Sequence, residues 1–341
     1  YVSRGQGVAS FGAGERDGAM MEYVPAVTAY EDTARKGFRT FISCGGRCFE
    51  PFAPDDPAQK QELRVSRAAL ELRALHEPSD IEVRVEYRIL PGEDMGALMR
   101  RVTVRNTGGG SITFRLADGM ARVIPAGIRN REFREMANLL KSYFDARLDG
   151  SGAALFSSRT TTENTARVGS VRRKNFYFAS SGGRAMKLVC DPVRLFGPDT
   201  ALGRPARFYE AGFDMGGAPS DARDGIPCAM ALGEFSLAPG GEAVIDAFAG
   251  SADSAEQAAL YTHKFTDKAW CDGKHALSEQ VVLEPASALE LETAEPLFDA
   301  YVRQCLLDNA LRGGWPVTLG GRLLHLYGRR HGDLERDYNY F

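Results

Sequence analysis

The densest chemistry in the chain lies at residues 328–341, GRRHGDLERDYNYF, where eleven of fourteen residues are charged, aromatic, histidine or asparagine. On a helix over 333–341, Leu334, Tyr338 and Phe341 share one face at i, i+4 and i+7 and would dock it. Asp333, Arg336, Asp337 and Tyr340 share another. Two kinds of arrangement fit that polar face. Carboxylates accept paired hydrogen bonds from vicinal hydroxyls, and Arg grips carboxylate or phosphate in a planar fork. His331, Asp333, Glu335, Arg336, Asp337 and Asn339 are therefore candidates for the wall of a sugar or phosphate subsite. Arg329 and Arg330 would add positive charge for an anion. The same residues would also form an Arg–carboxylate network on a buried helix, with no substrate.

Other reactive residues form weaker patterns. Cys44 and Cys48 in SCGGRC lack the second Cys or His pair that a zinc site needs, so no metal is expected. The glycine-rich stretch 5–18 lacks G-x-G-x-x-G spacing and a preceding strand, and reads first as a surface loop. A loop whose backbone approaches a sugar or a neighbouring domain is the other option. His76, His263 and His275 are isolated and read as structural. Trp270 and Trp315 could stack on sugar rings, but aromatic packing at a domain junction fits them better. No G-x-S-x-G, H-E-x-x-H or P-loop occurs.

The elements that would position these residues are mostly strands. IEVRVEYRIL (81–90) alternates, with Ile81, Val83, Val85, Tyr87 and Ile89 on one face and Glu82, Arg84, Glu86 and Arg88 on the other. That is a half-buried antiparallel strand. Segments 70–77, 98–106, 111–118, 174–181, 185–191 and 229–250 continue the pattern, the last folded about Pro239-Gly240-Gly241. A short helix is expected near 131–144. After Gly250 the period becomes helical. Ser254 and Gln257 have capping-box spacing. A second helix is expected over 268–284, with Gly273 as a possible break and Pro285 as its end. A third opens with Thr293 as N-cap and Pro296 in the first turn. Its stripe of Leu297, Phe298, Tyr301, Val302, Cys305 and Leu306 is wide enough to be buried against other helices. Gly313-Gly314 closes it, and 315–327 reads as a hairpin about Gly320-Gly321. The expected architecture is mainly β: a large antiparallel β-sandwich, then a helical linker, then the beginning of an α-rich domain.

Bulk properties narrow the function. The 341 residues carry 42 basic and 45 acidic side chains, a net charge of -3, which gives no strongly basic field for nucleic acid. No apolar run reaches the roughly 18 residues of a membrane span. Six dispersed cysteines do not make a disulfide scaffold and suit reduced thiols in a cytoplasmic protein. The opening YVSRGQGVASFG lacks a basic region followed by an apolar one, so no signal peptide is expected. The Tyr start and Phe finish suggest an excerpt of a longer chain.

The strings YVSRGQGVASFG, PAVTAYEDTARKGFRTFISCGG, DPVRLFGPDTALGRPARF, LRGGWPVTLGG and YGRRHGDLERDYNYF occur in that order. Together they resemble inverting glycoside phosphorylases related to cellobiose phosphorylase, in particular the long-chain members of glycoside hydrolase family 94 and their oligoglucan-phosphorylase relatives. The resemblance implies a supersandwich over 1–250, a helical linker over 251–290 and the start of an (α/α)6-barrel catalytic domain over 291–341. It implies phosphorolysis of β-linked gluco-oligosaccharides, β-1,2 or β-1,3, with inversion to α-glucose 1-phosphate. Inorganic phosphate would be co-substrate, with no cofactor. The general acid would lie beyond Phe341, so this chain alone would be inactive. Its partners would be the oligosaccharide, phosphate, the remainder of its own barrel and possibly a second copy in a homodimer. A bacterial, cytoplasmic enzyme is implied. Two alternatives are a non-catalytic carbohydrate-binding sandwich and an inverting glycoside hydrolase of the same architecture.

Overall fold

The computed structural model describes residues 6–7, 33–125, 136, 139–159, 174–217, 221–223, 225–287, 289–311 and 316–325. Two antiparallel sheets face each other. The smaller has five strands in the order β12 (Lys187–Val189), β14 (Ala229–Leu237), β7 (Ile112–Met120), β1 (Phe38–Cys44), β2 (Arg47–Phe49). The larger runs β13 (Ala222–Arg223), β8 (Phe144–Leu148), β9 (Ala154–Ser158), β10 (Lys174–Ser181), β15 (Glu242–Ala252), β6 (Gly96–Asn106), β5 (Ile81–Ile89), β4 (Leu70–His76), β3 (Gln59–Val65). The short β11 (Arg184–Ala185) pairs with β10. The predicted β-sandwich is thus present.

Alternation along the strands explains the layers. Phe38 and Ile42 of β1, Phe114 and Leu116 of β7, Val83 and Val85 of β5, and Val102 and Val104 of β6 meet between the sheets. Each such buried side chain contributes roughly 1.5–3 kcal/mol of transfer free energy. Parts of the outer faces are covered as well. Phe176 and Phe178 of β10 and Phe248 of β15 point away from the sandwich core into a second cluster with Tyr261 and Phe265. Burial on both sides is why KNFYFASS reads as a nearly unbroken apolar run. On the opposite surface, Leu195, Phe196 and Phe208 from segment 191–208 cover Phe41, Val189 and Met230.

Turn chemistry holds the hairpins. The Asn106 side-chain amide donates to the carbonyls of Gly110 at 2.7 Å and Ala238 at 3.1 Å, and so fastens two neighbouring turns. Residues 131–135 and 137–138 of the expected helix near 131–144 lie outside the described residues. Leu140, at its far end, packs with Ile124 and Phe144.

Helix α1 (Ala255–Thr266) starts where Ser254 accepts the Gln257 N–H at 3.2 Å. The return bond of the capping box goes to Asp253 rather than to Ser254: its N–H donates to Gln257 Oε1 at 2.7 Å. Helix α2 (Lys268–Ser287) departs from expectation. It continues through Gly273 and runs two residues past Pro285. A single Gly costs a helix only about 1 kcal/mol, and a Pro in the last turn removes just one donor. Helix α3 (Pro296–Leu311) also differs at its start. Thr293 is not its cap. Glu295 directly precedes Pro296, and its carbonyl accepts from Phe298 at 3.0 Å. Thr293 instead donates its hydroxyl to Asp299 Oδ1 at 2.7 Å. Strands β16 (Pro316–Leu319) and β17 (Arg322–His325) form the hairpin expected about Gly320-Gly321.

Candidate functional site

His331, Asp333, Glu335, Arg336, Asp337 and Asn339 all lie outside the described residues, as do Arg329, Arg330, Trp315 and Gly313-Gly314. The described residues show what leads up to them. Helix α3 touches the rest of the chain through Leu307, which packs on Val282 of α2 with Ala68 beside them. Leu297 is 79% exposed, Tyr301 66% and Phe298 51%, while Val302 and Cys305 are half-buried. Much of the stripe expected to be buried is therefore presented outward. A groove of about 770 Å³ runs alongside, walled by Arg67, Leu283, Glu290 and Arg303 among others.

Helix α2 is held on the outer face of the larger sheet by charges that the alternation of β5 and β6 directs there. Arg101 of β6 bridges to Asp246 of β15 at 2.6 Å and to Asp272 of α2 at 2.7 Å. His275 of α2 lies 3.8 Å from both the Glu86 and Asp246 carboxylates. His275, with Arg88, holds the Glu86 carboxyl down to about 2 against the opposing effect of burial. Farther along, Glu93 takes Lys274 at 2.6 Å and Lys264 at 3.0 Å. Between these clusters lies an aromatic group in which Phe265 stacks on Phe248 at 4.0 Å, with Trp270 at 5.8 Å from Phe265. The carboxylates here are engaged by cations, so the arrangement anchors the linker. His275 and Trp270 belong to this junction.

The glycine-rich stretch is partly described, and at Gln6 and Gly7 it is no surface loop. Gln6 is 1% exposed and enters the sandwich core. Its side-chain amide donates to Thr40 Oγ1 at 2.8 Å, and its carbonyl accepts from Tyr87 Oη at 2.7 Å. Thr40 donates to Asp118 at 2.6 Å, and Asp118 pairs with Arg100 at 2.5 Å. Both members of that pair are fully buried, at 0% and 1%. Burial works against the Arg100 charge, and Asp118 together with Tyr87 and Tyr177 more than offsets it. The backbone approach expected of the glycines is made to the chain's own β1: Phe38 N–H donates to the Gly7 carbonyl at 2.9 Å. A Cβ on Gly37 would sit 2.1 Å from that oxygen. Sequence reading missed this cluster. Its signal was an Arg at the inward position of LMRRVTV and an Asp at the inward position of TFRLAD.

All six cysteines are free thiols, and Cys48 Sγ lies 3.6 Å from Ser43 Oγ rather than against Cys44. Among the described residues no group of three or more His, Cys, Asp or Glu could hold a metal. Among them, no helix is long and apolar enough to cross a membrane.

The described residues define a large antiparallel β-sandwich with two helices anchored on the outer face of its larger sheet. The family comparison names it. The glycosyl hydrolase 94 supersandwich domain matches residues 50–268, well over half of the chain. The chain belongs to that family and carries a glycoside hydrolase/phosphorylase-type carbohydrate-active module. Among solved structures, a polysaccharide lyase resembles it at 11% identity and TM-score 0.39, covering 73% of this chain and 30% of that one. A family GH92 α-mannosidase from Bacteroides thetaiotaomicron does so at 10% identity and TM-score 0.41, covering 81% and 31%. The chain therefore spans about a third of the length of these structures. No curated protein matches the sequence.

Proposed function

We propose that this chain is the sandwich and linker of an inverting glycoside phosphorylase. The enzyme would cleave β-1,2- or β-1,3-linked gluco-oligosaccharides with inorganic phosphate and release α-glucose 1-phosphate. The observation that carries this reading is the supersandwich match over residues 50–268. The uncovered face of α3 supports it, because Leu297, Phe298 and Tyr301 have the exposure of a helix built to pack against further helices. Those helices would be the remainder of an (α/α)6 barrel. Inverting hydrolysis uses one carboxylic acid to protonate the leaving group and a second carboxylate to activate water. In phosphorolysis the phosphate is itself the nucleophile, so only the acid is needed. In this reading the acid belongs to the barrel, and His331, Asp333, Glu335, Arg336, Asp337 and Asn339 stand at its entrance. The enzyme works in the cytoplasm, where phosphate is plentiful, and a homodimer is its expected state.

The test compares the 341-residue chain with the longer polypeptide that carries it, on β-1,2 and β-1,3 oligoglucans with and without phosphate. Phosphate-dependent turnover by the longer protein alone is expected. Turnover in the absence of phosphate would make the enzyme a hydrolase. Phosphorolysis by the 341-residue chain itself would refute the division of labour.

A further inference from the structure

The larger sheet ends on β3, and among the described residues no strand pairs with its outer edge. The strand reads QKQELRV and is exposed from Lys60 to Val65. Backbone bonds just beyond its two ends show which residues face that edge. The Ala58 carbonyl accepts the Glu77 N–H at 3.1 Å, and the Ala69 carbonyl accepts the Ser66 N–H at 2.9 Å. In the β3–β4 register, where Gln59 opposes His76 and Val65 opposes Leu70, these bonds assign the even-numbered residues of β3 to β4. Gln61, Leu63 and Val65 therefore direct their N–H and C=O groups to the open edge.

The side chains divide the same strand by face. Leu63 opposes Leu72, a residue of the core between the sheets, so Leu63 and Val65 lie on the inner face and Glu62 and Arg64 on the outer one. Cover from the segment after β2 stops at Gln61, whose side-chain amide donates to the Ala53 carbonyl at 2.8 Å. Beyond it Leu63 is 50% exposed and Val65 75%. On the outer face Arg64 bridges to Glu62 of its own strand at 2.8 Å, and both side chains reach into solvent. An edge with open backbone groups and uncovered apolar side chains is a template for another strand.

The strand is complementary to itself. A second copy running antiparallel, with its twofold axis at Leu63 and perpendicular to the sheet, sets Leu63 against Leu63, Gln61 against Val65 and Glu62 against Arg64. Outward-facing backbone then meets outward-facing backbone, so Gln61, Leu63 and Val65 exchange hydrogen bonds with the second copy. The inner faces stay on one side, and the exposed apolar side chains meet there. On the outer face the two Glu62–Arg64 pairs become a ring of four alternating charges. No free charge is required, because each carboxylate keeps its own arginine and gains another. Neighbouring registers with the same hydrogen-bond parity fail on charge. Centring on Glu62 opposes two glutamates and sets Lys60 against Arg64, and centring on Arg64 opposes two arginines. We propose that β3 is the interface of a homodimer in which two copies join their larger sheets edge to edge, paired antiparallel about Leu63. The inference rests on the homodimer expectation and not on the phosphorolysis reading.

Analytical ultracentrifugation of the 341-residue chain over a range of concentrations tests it. A reversible dimer is expected. Leu63→Pro removes an N–H that points to the edge and leaves the bonds to β4 in place, so the folded variant should be monomeric. Glu62→Arg and Arg64→Glu should each weaken self-association roughly tenfold or more, because two symmetric cross-strand pairs turn from attractive to repulsive. Mixed together, these two variants oppose unlike charges throughout and should associate as a heterodimer with the affinity regained. Circular dichroism melts confirm that each variant folds. A dimer that persists in folded Leu63→Pro, or charge variants that fail to associate when mixed, would overturn this interface and leave the homodimer expectation standing. A chain that stays monomeric at every concentration would overturn both. Slow hydrogen exchange at the Gln61, Leu63 and Val65 amides of such a monomer would assign the edge to another segment of the same chain.

Discussion

Replacing Asp118 by Asn tests how the sandwich core is specified. The carboxylate is 0% exposed and pairs at 2.5 Å with Arg100, 1% exposed, while accepting the Thr40 hydroxyl at 2.6 Å. Asn keeps the shape and removes the charge. The Arg100 guanidinium then stays buried without a counter-ion, with Tyr87 Oη accepting from its Nε at 3.2 Å and the Gln6 side-chain oxygen accepting from its Nη2. Breaking a buried pair from one side costs about 3–5 kcal/mol, and for a chain of this size that lowers the midpoint by roughly 4–7 °C. Arg100→Met should cost a similar amount, leaving a buried carboxylate instead. The double variant should be far less destabilised than the sum, with a coupling energy of about 2 kcal/mol or more. The assay is urea unfolding followed by tryptophan fluorescence, with the slope checked for constancy. A loss under about 1 kcal/mol in Asp118→Asn, or strict additivity in the double variant, would refute the claim that the pair acts as a unit.

Further outcomes are expected from the same structure. Gly37→Ala places a methyl 2.1 Å from the Gly7 carbonyl, so it should displace Gln6 and cost about 1–3 kcal/mol, measured by thermal melting. Glu86→Gln should loosen helix α2. Because the folded Glu86 carboxyl is held down to about 2, below its ordinary 4.5, its contribution, of order 1–2 kcal/mol after solvent screening, is fully present above pH 4.5. It is lost as the pH falls through 2, so the wild-type and variant melting curves should converge in acid. Ser254→Ala removes the acceptor for Gln257 N–H and should cost about 1 kcal/mol, with faster hydrogen exchange in the first turn of α1. Leu297→Gln with Tyr301→Gln should leave the unfolding free energy of this chain within about 0.5 kcal/mol, because both side chains are largely exposed here. The same pair should destabilise a polypeptide in which the barrel covers α3.

The strands were legible because most obey period two over long stretches, and β5 at Ile81–Ile89 coincides with the alternating run 81–90. Alternation could assign faces but not what covers them. Glu86 and Arg88 lie on the polar face of β5, yet that face receives α2 and becomes a set of ion pairs. Ile89 sits on the apolar face and is 51% exposed, because the strand end reaches past its cover. The inward Arg100 and Asp118 are on consecutive strands, β6 and β7, that go to different sheets, and only the facing of the two sheets brings them together. Capping was read correctly at Ser254 and two residues too early at Thr293, where Asp299 captures the threonine. The polar string at 328–341 was chosen on residue type and helical spacing alone, and it lies outside the described residues.

The central claim is that this sandwich serves a phosphate-consuming, inverting enzyme. Proton NMR of the first sugar released by a polypeptide that joins this chain to the proposed barrel, from a β-linked oligoglucan in phosphate buffer, tests it most directly. Appearance of α-glucose 1-phosphate as the initial product, in step with loss of the β-linked substrate, is the predicted result. Appearance of free glucose with no sugar phosphate, or of the β-anomer, would contradict it.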